Sequence, residues 1–178
     1  MRIIAGKLKG RLLHEPHGHK THPMSEKVRG ALFNVLGDIK GLTFLDAYAG
    51  TGAIAIEAIS RGAKKAVATE KEHSAHFIIE KNVKELQLEK QIEVVHGSVG
   101  GWSIHNMERT FDLVVLDPPY ERIKMQQLQT LINRHVKAGG LAVLSFPGNV
   151  PAPEFERVEL ITAKNYGDAQ LVFYRKKS

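Results

Sequence analysis

The 178-residue sequence contains no cysteine and no long hydrophobic run. Without cysteine, the chain can form neither a disulfide framework nor a thiolate metal site, and its composition fits a reducing compartment. Its apolar runs are interrupted within a few residues, and the polar sequence RIIAGKLKGR follows Met1 directly, so we expect neither a signal peptide nor a membrane span. We therefore expect a cytoplasmic protein that makes no contact with membranes.

The length of the chain suits one domain with a well-buried core and is too short for two ordinary domains. We predict a single domain over residues 1–178, in which residues 1–42 form an N-terminal extension and residues 43–178 form the core. We also expect this domain to be a monomer.

Positive charge is concentrated in the N-terminal extension. Residues 1–43 carry eight lysines and arginines against three acids, whereas the remaining residues carry seventeen against sixteen. Such a segment is expected of a chain that contacts nucleic-acid phosphates, although a solvated surface that aids solubility would have the same composition. The candidate phosphate contacts are Arg2, Lys7, Lys9, Arg11, His22 and Arg29.

The front of the chain shows turn and cap signals. The sequence RIIAGKLKGRLLHE predicts two short strands around glycines, and Ser25 is placed to cap a helix that ends at Gly37. We expect this helix to bury a face made of Val28, Ala31, Leu32, Val35 and Leu36. The histidine-rich loop from His14 to His22 offers no cysteine ligand, so we expect no metal site there.

From residue 43 onward, short β-rich runs alternate with helical segments. The predicted strands are TFLDAYA, KAVATE, IEVVHG, FDLVVLD and GLAVLSF, and the predicted helices lie near 52–61, 73–87, 101–109 and 124–136. Ile79, Val83 and Leu86 fall on one face of the second of these helices. This alternation predicts a parallel sheet with helices on both faces, and the closing runs FERVELIT and AQLVFY predict an antiparallel pair at its edge. The expected fold class is therefore α/β, a Rossmann-like, doubly wound, mostly parallel seven-stranded sheet with an antiparallel C-terminal hairpin and a short basic N-terminal β/helix extension.

A glycine-rich turn, LDAYAGTGA, follows the first strand. Gly50 and Gly52 allow the backbone to turn sharply and to approach a ligand, and the following helix directs its free N–H groups to the same place. This turn alone also fits a dinucleotide-binding fold. Asp46 favours S-adenosylmethionine over NAD, because a carboxylate can hold an ammonium group but repels a pyrophosphate. Glu70 ends the next strand, where a carboxylate can accept the hydroxyls of a ribose from either cofactor.

The fourth strand ends in the sequence DPPY. Two consecutive prolines fix the chain direction, so Asp117 and Tyr120 are presented rigidly at the strand end. Asp117 and the Pro118 carbonyl could accept hydrogen bonds from an exocyclic amine, and Tyr120 could stack on a flat base. A rigid turn whose aromatic ring only covers the sheet edge is the alternative. Trp102 and Phe33, by contrast, are expected to pack in the core.

These motifs together resemble a known family. DAYAGTG and DPPY are similar to those of class I S-adenosylmethionine-dependent methyltransferases that methylate amino groups. With RIIAGKLKGRLL and HPMSEKVRGALFNVL added, the chain from Arg2 to Tyr174 resembles the 16S ribosomal RNA guanine-N2 methyltransferase (RsmD) family. It departs from the usual pattern of that family at His22, Met24, Lys27 and Gly30.

The resemblance implies an enzyme that transfers a methyl group from S-adenosylmethionine to N2 of a guanine in 16S rRNA, either free or in an assembling small subunit. It also implies that the N-terminal extension contacts the RNA. The implied catalytic residues are Asp117, Pro118, Pro119 and Tyr120, and the implied cofactor-binding residues are Asp46, Tyr48, Ala49, Gly50, Thr51, Gly52, Glu70, Lys71, Gly97 and Ser98. Two alternatives stay open: a DNA methyltransferase acting on adenine N6 or cytosine N4, and an RNA-binding assembly factor without catalytic activity.

Overall fold

A computed structural model of the protein describes residues 1–17 and 23–178. Its strands are β1 (Thr43–Asp46), β2 (Lys65–Glu70), β3 (Ile92–His96), β4 (Phe111–Leu116), β5 (Val136–Pro147), β6 (Val158–Asn165) and β7 (Ala169–Lys176). Its helices are α1 (Glu26–Leu36), α2 (Ala53–Ser60), α3 (His73–Glu85), α4 (Val99–Ile104) and α5 (Met125–His135). The strands form one sheet in the order β3-β2-β1-β4-β5-β7-β6, which confirms the predicted fold class. Residues 1–99 and 100–178 form two compact units, and a single domain over 1–178 stays a prediction.

The first unit contains three parallel strands. β1 pairs with β2 and β2 pairs with β3, so that Asp46 lies beside Ala68 and Glu70 lies beside His96. α2 packs on β1 and β2 and is buried along its whole length, while α3 packs on β2 and β3. The predicted apolar face of α3 is confirmed, since Ile79, Val83 and Leu86 are all buried. The carboxyl ends of three neighbouring strands therefore meet at one edge of this unit.

Helix α1 begins and ends where the sequence predicted. The Ser25 hydroxyl accepts a hydrogen bond from the Val28 N–H at 3.2 Å, and Gly37 follows the last turn with a φ of 71°. The predicted buried face is only partly correct. Leu32 is buried as expected, but Val35 is 41 % exposed and the helix instead buries Arg29 and Phe33.

Residues 2–15 at the start of the N-terminal extension form a tight loop instead of the two predicted short strands. A single antiparallel bridge joins Arg2 and Leu12. The loop is fastened to α2 through Ser60, whose hydroxyl donates to the Ala5 carbonyl at 2.6 Å and accepts from the Leu8 N–H at 3.0 Å. A side chain at Gly6 would collide with the Ser60 carbonyl, because a Cβ there would lie 1.9 Å from its oxygen. Only glycine allows the loop to approach α2 this closely.

The second unit holds the other four strands. β4 and β5 are parallel, and β7 lies antiparallel between β5 and β6, as predicted for the closing hairpin. The predicted start of β5 is wrong, because the strand begins at Val136, beside Phe111, and continues through Gly139 and Gly140. α4 is also shorter and earlier than the predicted segment 101–109. Within the described residues, no helix has the length and hydrophobicity needed to cross a bilayer.

Candidate active site

The turn between β1 and α2 has the backbone geometry of a ligand-binding loop. Gly50 and Gly52 both have positive φ angles, 56° and 80°, which side chains disfavour. A Cβ on Gly52 would meet the Ile79 side chain at 3.0 Å, so this glycine is needed for packing of α3. At Gly50, no described atom lies within 4 Å of the place where a Cβ would be. The Gly50 backbone is therefore open to close approach by another molecule.

Glu70 connects the end of β2 to this turn. One carboxylate oxygen accepts a hydrogen bond from the Gly50 N–H at 2.8 Å, and the other accepts from the Glu72 N–H at 2.9 Å. The Glu70 carbonyl accepts from the Gly97 N–H at 2.9 Å. Each carboxylate oxygen has further acceptor capacity, so the side chain can still bind two hydroxyl groups.

Asp46 and Tyr48 lie at the start of the same turn. Asp46 is completely buried, and one of its oxygens accepts a hydrogen bond from the Ala55 N–H in the first turn of α2, at 3.2 Å. Tyr48 is half-buried, and burial raises the pKa of its phenol to about 12, so the hydroxyl stays protonated. Ala49 and Thr51 are buried beside them.

The ends of β2 and β3 complete the set of predicted cofactor residues. Lys71 and Ser98 are exposed, and Gly97 is half-buried. The His96 ring lies 3.2 Å from the Lys71 carbonyl and stacks on His76, with ring centroids 4.6 Å apart. The structure thus brings all ten predicted cofactor-binding residues to one edge of the first unit, and their binding role stays a prediction.

In the second unit, the DPPY sequence follows β4 directly. Asp117 is half-buried and Pro118 is buried, whereas Pro119 is exposed and Tyr120 begins a short 3-10 turn. Burial raises the pKa of Asp117 to about 6, and a hydrogen bond with Ser145 opposes this shift. Asp117 is therefore ionised at neutral pH and protonated in mild acid, as suits an acceptor of an amine N–H.

Tyr120 is held by the same serine. Its hydroxyl lies 2.8 Å from the Ser145 hydroxyl, although the residue is 36 % exposed. Burial raises the pKa of Tyr120, and the charge of Asp117 raises it further. The ring is thus fixed at its polar end while part of its surface remains open to a stacking partner.

The predicted phosphate contacts fall into three groups. Lys7, Lys9 and Arg11 are exposed, and Arg2 is exposed with its guanidinium 3.9 Å from Glu26. His22 lies outside the described residues. The prediction for Arg29 is wrong, because its side chain is completely buried, donates to the Arg2 carbonyl and pairs with Glu57 at 3.3 Å. A buried, paired guanidinium cannot reach a phosphate.

Three residues that the sequence reading missed organise these regions. Glu57 fastens the N-terminal loop, and Ser145 bridges Asp117 and Tyr120. The Asn82 side chain accepts from the His14 N–H at 2.8 Å and donates to the His14 and Thr51 carbonyls, which ties the N-terminal segment to the glycine turn. The one available signal was Glu57, a charged residue inside the otherwise apolar helix AIAIEAIS.

Histidines do not assemble with acids into a metal site in the described part of the chain. Residues 1–17 and 23–178 contain no group of three or more histidines or acids that could hold an ion. His14 instead contacts Glu85, with 2.7 Å between the ring nitrogen and the carboxylate oxygen.

Comparison with known proteins agrees with the geometry. Residues 1–175 match the family described as Conserved hypothetical protein 95. A Bacillus subtilis protein with the provisional name rRNA methyltransferase YlbH is 32 % identical over 99 % of this chain and 100 % of its own. Ribosomal RNA small subunit methyltransferase D from Haemophilus influenzae is 30 % identical over 98 % of this chain and 92 % of its own.

A solved structure supports the same relationship. The Escherichia coli protein yhhF, provisionally named a methyltransferase, superimposes with a TM-score of 0.88 at 26 % identity, over 99 % of this chain and 98 % of its own. The chain therefore belongs to the Conserved hypothetical protein 95 family, which is the RsmD methyltransferase family.

Proposed function

We propose that this protein transfers a methyl group from S-adenosylmethionine to the exocyclic N2 amine of a guanine in small-subunit ribosomal RNA. The observation that carries the proposal is the end of β4, where Asp117 and a half-exposed Tyr120 both interact with the buried Ser145 hydroxyl. Membership of the RsmD family supports the choice of ribosomal RNA over DNA.

The residues at the ends of β1, β2 and β3 suit S-adenosylmethionine. The open Gly50 backbone admits close approach, and the Glu70 carboxylate has acceptor capacity for two ribose hydroxyls. Asp46, Tyr48, Ala49, Thr51 and Gly52 belong to the same turn, and Lys71, Gly97 and Ser98 flank it. When bound, the cofactor supplies an electrophilic methyl group on a sulfonium.

The DPPY residues then act on the amine. The lone pair of a guanine N2 is delocalised into the ring, so the nitrogen must become tetrahedral before it can accept a methyl group. Asp117 and the Pro118 carbonyl accept hydrogen bonds from the two N–H groups, which favours the tetrahedral nitrogen and stabilises the developing positive charge. Tyr120 stacks on the base and fixes its plane, and Pro119 keeps the strand end rigid.

We further propose that the enzyme works as a cytoplasmic monomer on free 16S rRNA or on an assembling small subunit. The exposed Arg2, Lys7, Lys9 and Arg11 are the proposed phosphate contacts, because their loop is fastened to α2 and leaves all four basic side chains exposed.

Methyl transfer with labelled S-adenosylmethionine tests the proposal. The substrates are unmodified small-subunit particles, free 16S RNA and duplex DNA, each digested afterwards to identify the labelled nucleoside. We expect label in N2-methylguanosine from RNA, reduced about 100-fold or more in Asp117→Ala. Asp168→Ala, which removes an exposed carboxylate from the turn before β7, should retain full activity.

Other outcomes would assign a different function. Label in DNA alone would show a DNA amino-methyltransferase. Measurable cofactor binding without transfer to any of the three substrates would favour a non-catalytic assembly factor.

A further inference from the structure

Ser145 lies on β5, next to the DPPY sequence that follows β4. Leu116, the last residue of β4, pairs with Leu144 of β5, so Asp117 and Ser145 are the residues that directly follow this pair. Ser145 is only 4 % exposed, and its hydroxyl lies 2.8 Å from the Tyr120 hydroxyl. The strand register brings Ser145 beside Asp117, and a hydrogen bond between the two side chains lowers the pKa of that carboxyl. A buried hydroxyl between two functional side chains sets the hydrogen-bond arrangement of both.

The number of protons on the three side chains determines which group donates each hydrogen bond. A serine hydroxyl has one proton to donate and lone pairs with which to accept. Because ionised Asp117 can only accept, Ser145 donates to the carboxylate, and its oxygen is then left to accept from the Tyr120 hydroxyl at 2.8 Å. The three groups therefore form one directed chain, from Tyr120 through Ser145 to Asp117.

We infer that Ser145 is a positioning residue for methyl transfer, which holds the Asp117 carboxylate ready to accept the N–H of the substrate amine and fixes the polar end of the Tyr120 ring. This inference rests on the proposed function, since it names a residue that acts through Asp117 and Tyr120. Ser145 engages the carboxylate with one hydrogen bond, which leaves acceptor capacity for the amine.

Loss of the Ser145 hydroxyl has a specific chemical consequence. Its bond to Asp117 favours the ionised carboxylate against the opposing effect of burial. The ionisable group that interacts with Asp117 from the neighbouring 3-10 turn is Tyr120, which stays neutral because its own pKa is raised. Removal of the hydroxyl therefore shifts the pKa of Asp117 further upward and depletes the ionised form near neutral pH.

The first experiment measures Asp117 directly and needs no substrate. The pKa of Asp117 is followed by carboxyl-carbon NMR on aspartate-labelled protein, with the signal assigned from Asp117→Asn. We expect Ser145→Ala to raise this pKa by about one unit. Ser145→Thr, which keeps the hydroxyl on a β strand, should restore the native value.

The second experiment uses methyl transfer on the substrate that the native protein modifies. In Ser145→Ala we expect kcat to fall about 2-fold at pH 7 and about 5-fold at pH 6, because the acid limb of its pH profile moves to higher pH, while KM for S-adenosylmethionine stays unchanged. Ser145→Thr should recover the native profile. Tyr120→Phe keeps the ring and removes the donor to Ser145, so it tests the other half of the chain and should lower kcat with a smaller shift of the profile.

The outcomes separate the inference from the proposed function. A folded Ser145→Ala protein with an unchanged Asp117 pKa overturns the inference, even if native methyl transfer to guanine is confirmed. If the Asp117 pKa is higher in Ser145→Ala than in the native protein, but the native protein methylates no guanine, the hydrogen-bond chain is supported and the proposed reaction is rejected. A loss of kcat with no movement of the pH profile shows that Ser145 has only a packing role, which also overturns the inference.

Discussion

Glu57 is the residue on which the position of the N-terminal loop most depends. Its buried carboxylate accepts from the Ile4 and Ala5 N–H groups at 2.9 and 3.0 Å, and it pairs with Arg29 and Arg61. Glu57→Gln removes the charge that balances the fully buried Arg29 guanidinium. It also places the new amide N–H group against donors that the carboxylate now accepts from. We expect the free energy of unfolding to fall by about 3 kcal/mol or more, as measured by urea denaturation.

Glu89→Gln is the matched control for this prediction. Glu89 is an exposed glutamate of the same unit, so its replacement should change the free energy of unfolding by less than about 0.5 kcal/mol. Equal effects of the two substitutions would show that the Glu57 network contributes no more to stability than a surface charge.

Single residues could be predicted from the sequence where a local motif defines them. Asp117 and Tyr120 stand at the end of a strand because an apolar run stops at two prolines, and this can be read directly. Arg29 could not be assigned in the same way. Its partner Glu57 is 28 residues away on another helix, so the sequence alone does not distinguish a buried ion pair from a surface cation.

Helix α5 ends in a buried histidine that must stay neutral. The His135 ring is completely buried beside Trp102, with one nitrogen 2.7 Å from the Arg109 carbonyl and the other 2.7 Å from the Ser103 hydroxyl. The carbonyl can only accept, so Nδ1 carries the proton and Nε2 accepts from Ser103.

This histidine should make the stability of the protein depend on pH. Burial lowers the pKa of His135 below 6.5, and the charges of Arg134, Arg109 and Lys176 lower it too, while the bond to the Arg109 carbonyl opposes them. The unfolded chain then binds more protons below pH 6.5, so the free energy of unfolding falls as the pH drops from 7.5 to 5.5. We expect His135→Asn to show a smaller fall over this range in urea denaturation.

Asp117 changes the free energy of unfolding with pH in the opposite direction. Its raised pKa makes the folded protein relatively more stable as the pH falls through about 6, and this contribution cancels when two variants are compared at the same pH. His105→Asn changes an exposed histidine and should keep the native pH dependence. If His135→Asn keeps it as well, the buried ring is not responsible for the effect.

Whole elements were predicted well where local signals were strong. α3 has a clear apolar periodicity, and α1 has a serine cap and a terminal glycine, so both were located closely. The start of β5 was missed because Gly139 and Gly140 indicate a turn, whereas pairing with β4 extends the strand back to Val136. α4 begins with two glycines after Val99, and its limits are not encoded by helix propensity.

At the scale of the whole molecule, the regular alternation of strands and helices was enough to predict the sheet and its closing hairpin. The alternation limits parallel strands to few arrangements, because crossover connections are right-handed and consecutive elements are usually neighbours. The same sequence did not reveal how the basic N-terminal segment is fastened. Its attachment depends on Glu57, Ser60 and Asn82, which come from α2 and α3.

The uneven charge of the molecule predicts how RNA binding responds to salt. Lys7, Lys9 and Arg11 are exposed on the loop that α2 holds in place, and most of the net charge of +6 comes from the N-terminal extension. We expect the triple glutamine variant of these residues to weaken RNA binding. We also expect it to reduce the slope of log affinity against log salt concentration by about 2 to 3, because each phosphate contact releases counterions. Filter binding or fluorescence anisotropy at several salt concentrations measures both quantities.

A second triple variant separates the position of the charge from its amount. Lys64, Lys84 and Lys90 are exposed lysines of the same unit outside the N-terminal extension, and their replacement by glutamine lowers the net charge by the same three units. If the loop contacts phosphates directly, this control should change the salt slope by less than about 1. Equal slopes for both variants would mean that RNA senses only the total charge, and the proposed contacts at Lys7, Lys9 and Arg11 would then be wrong.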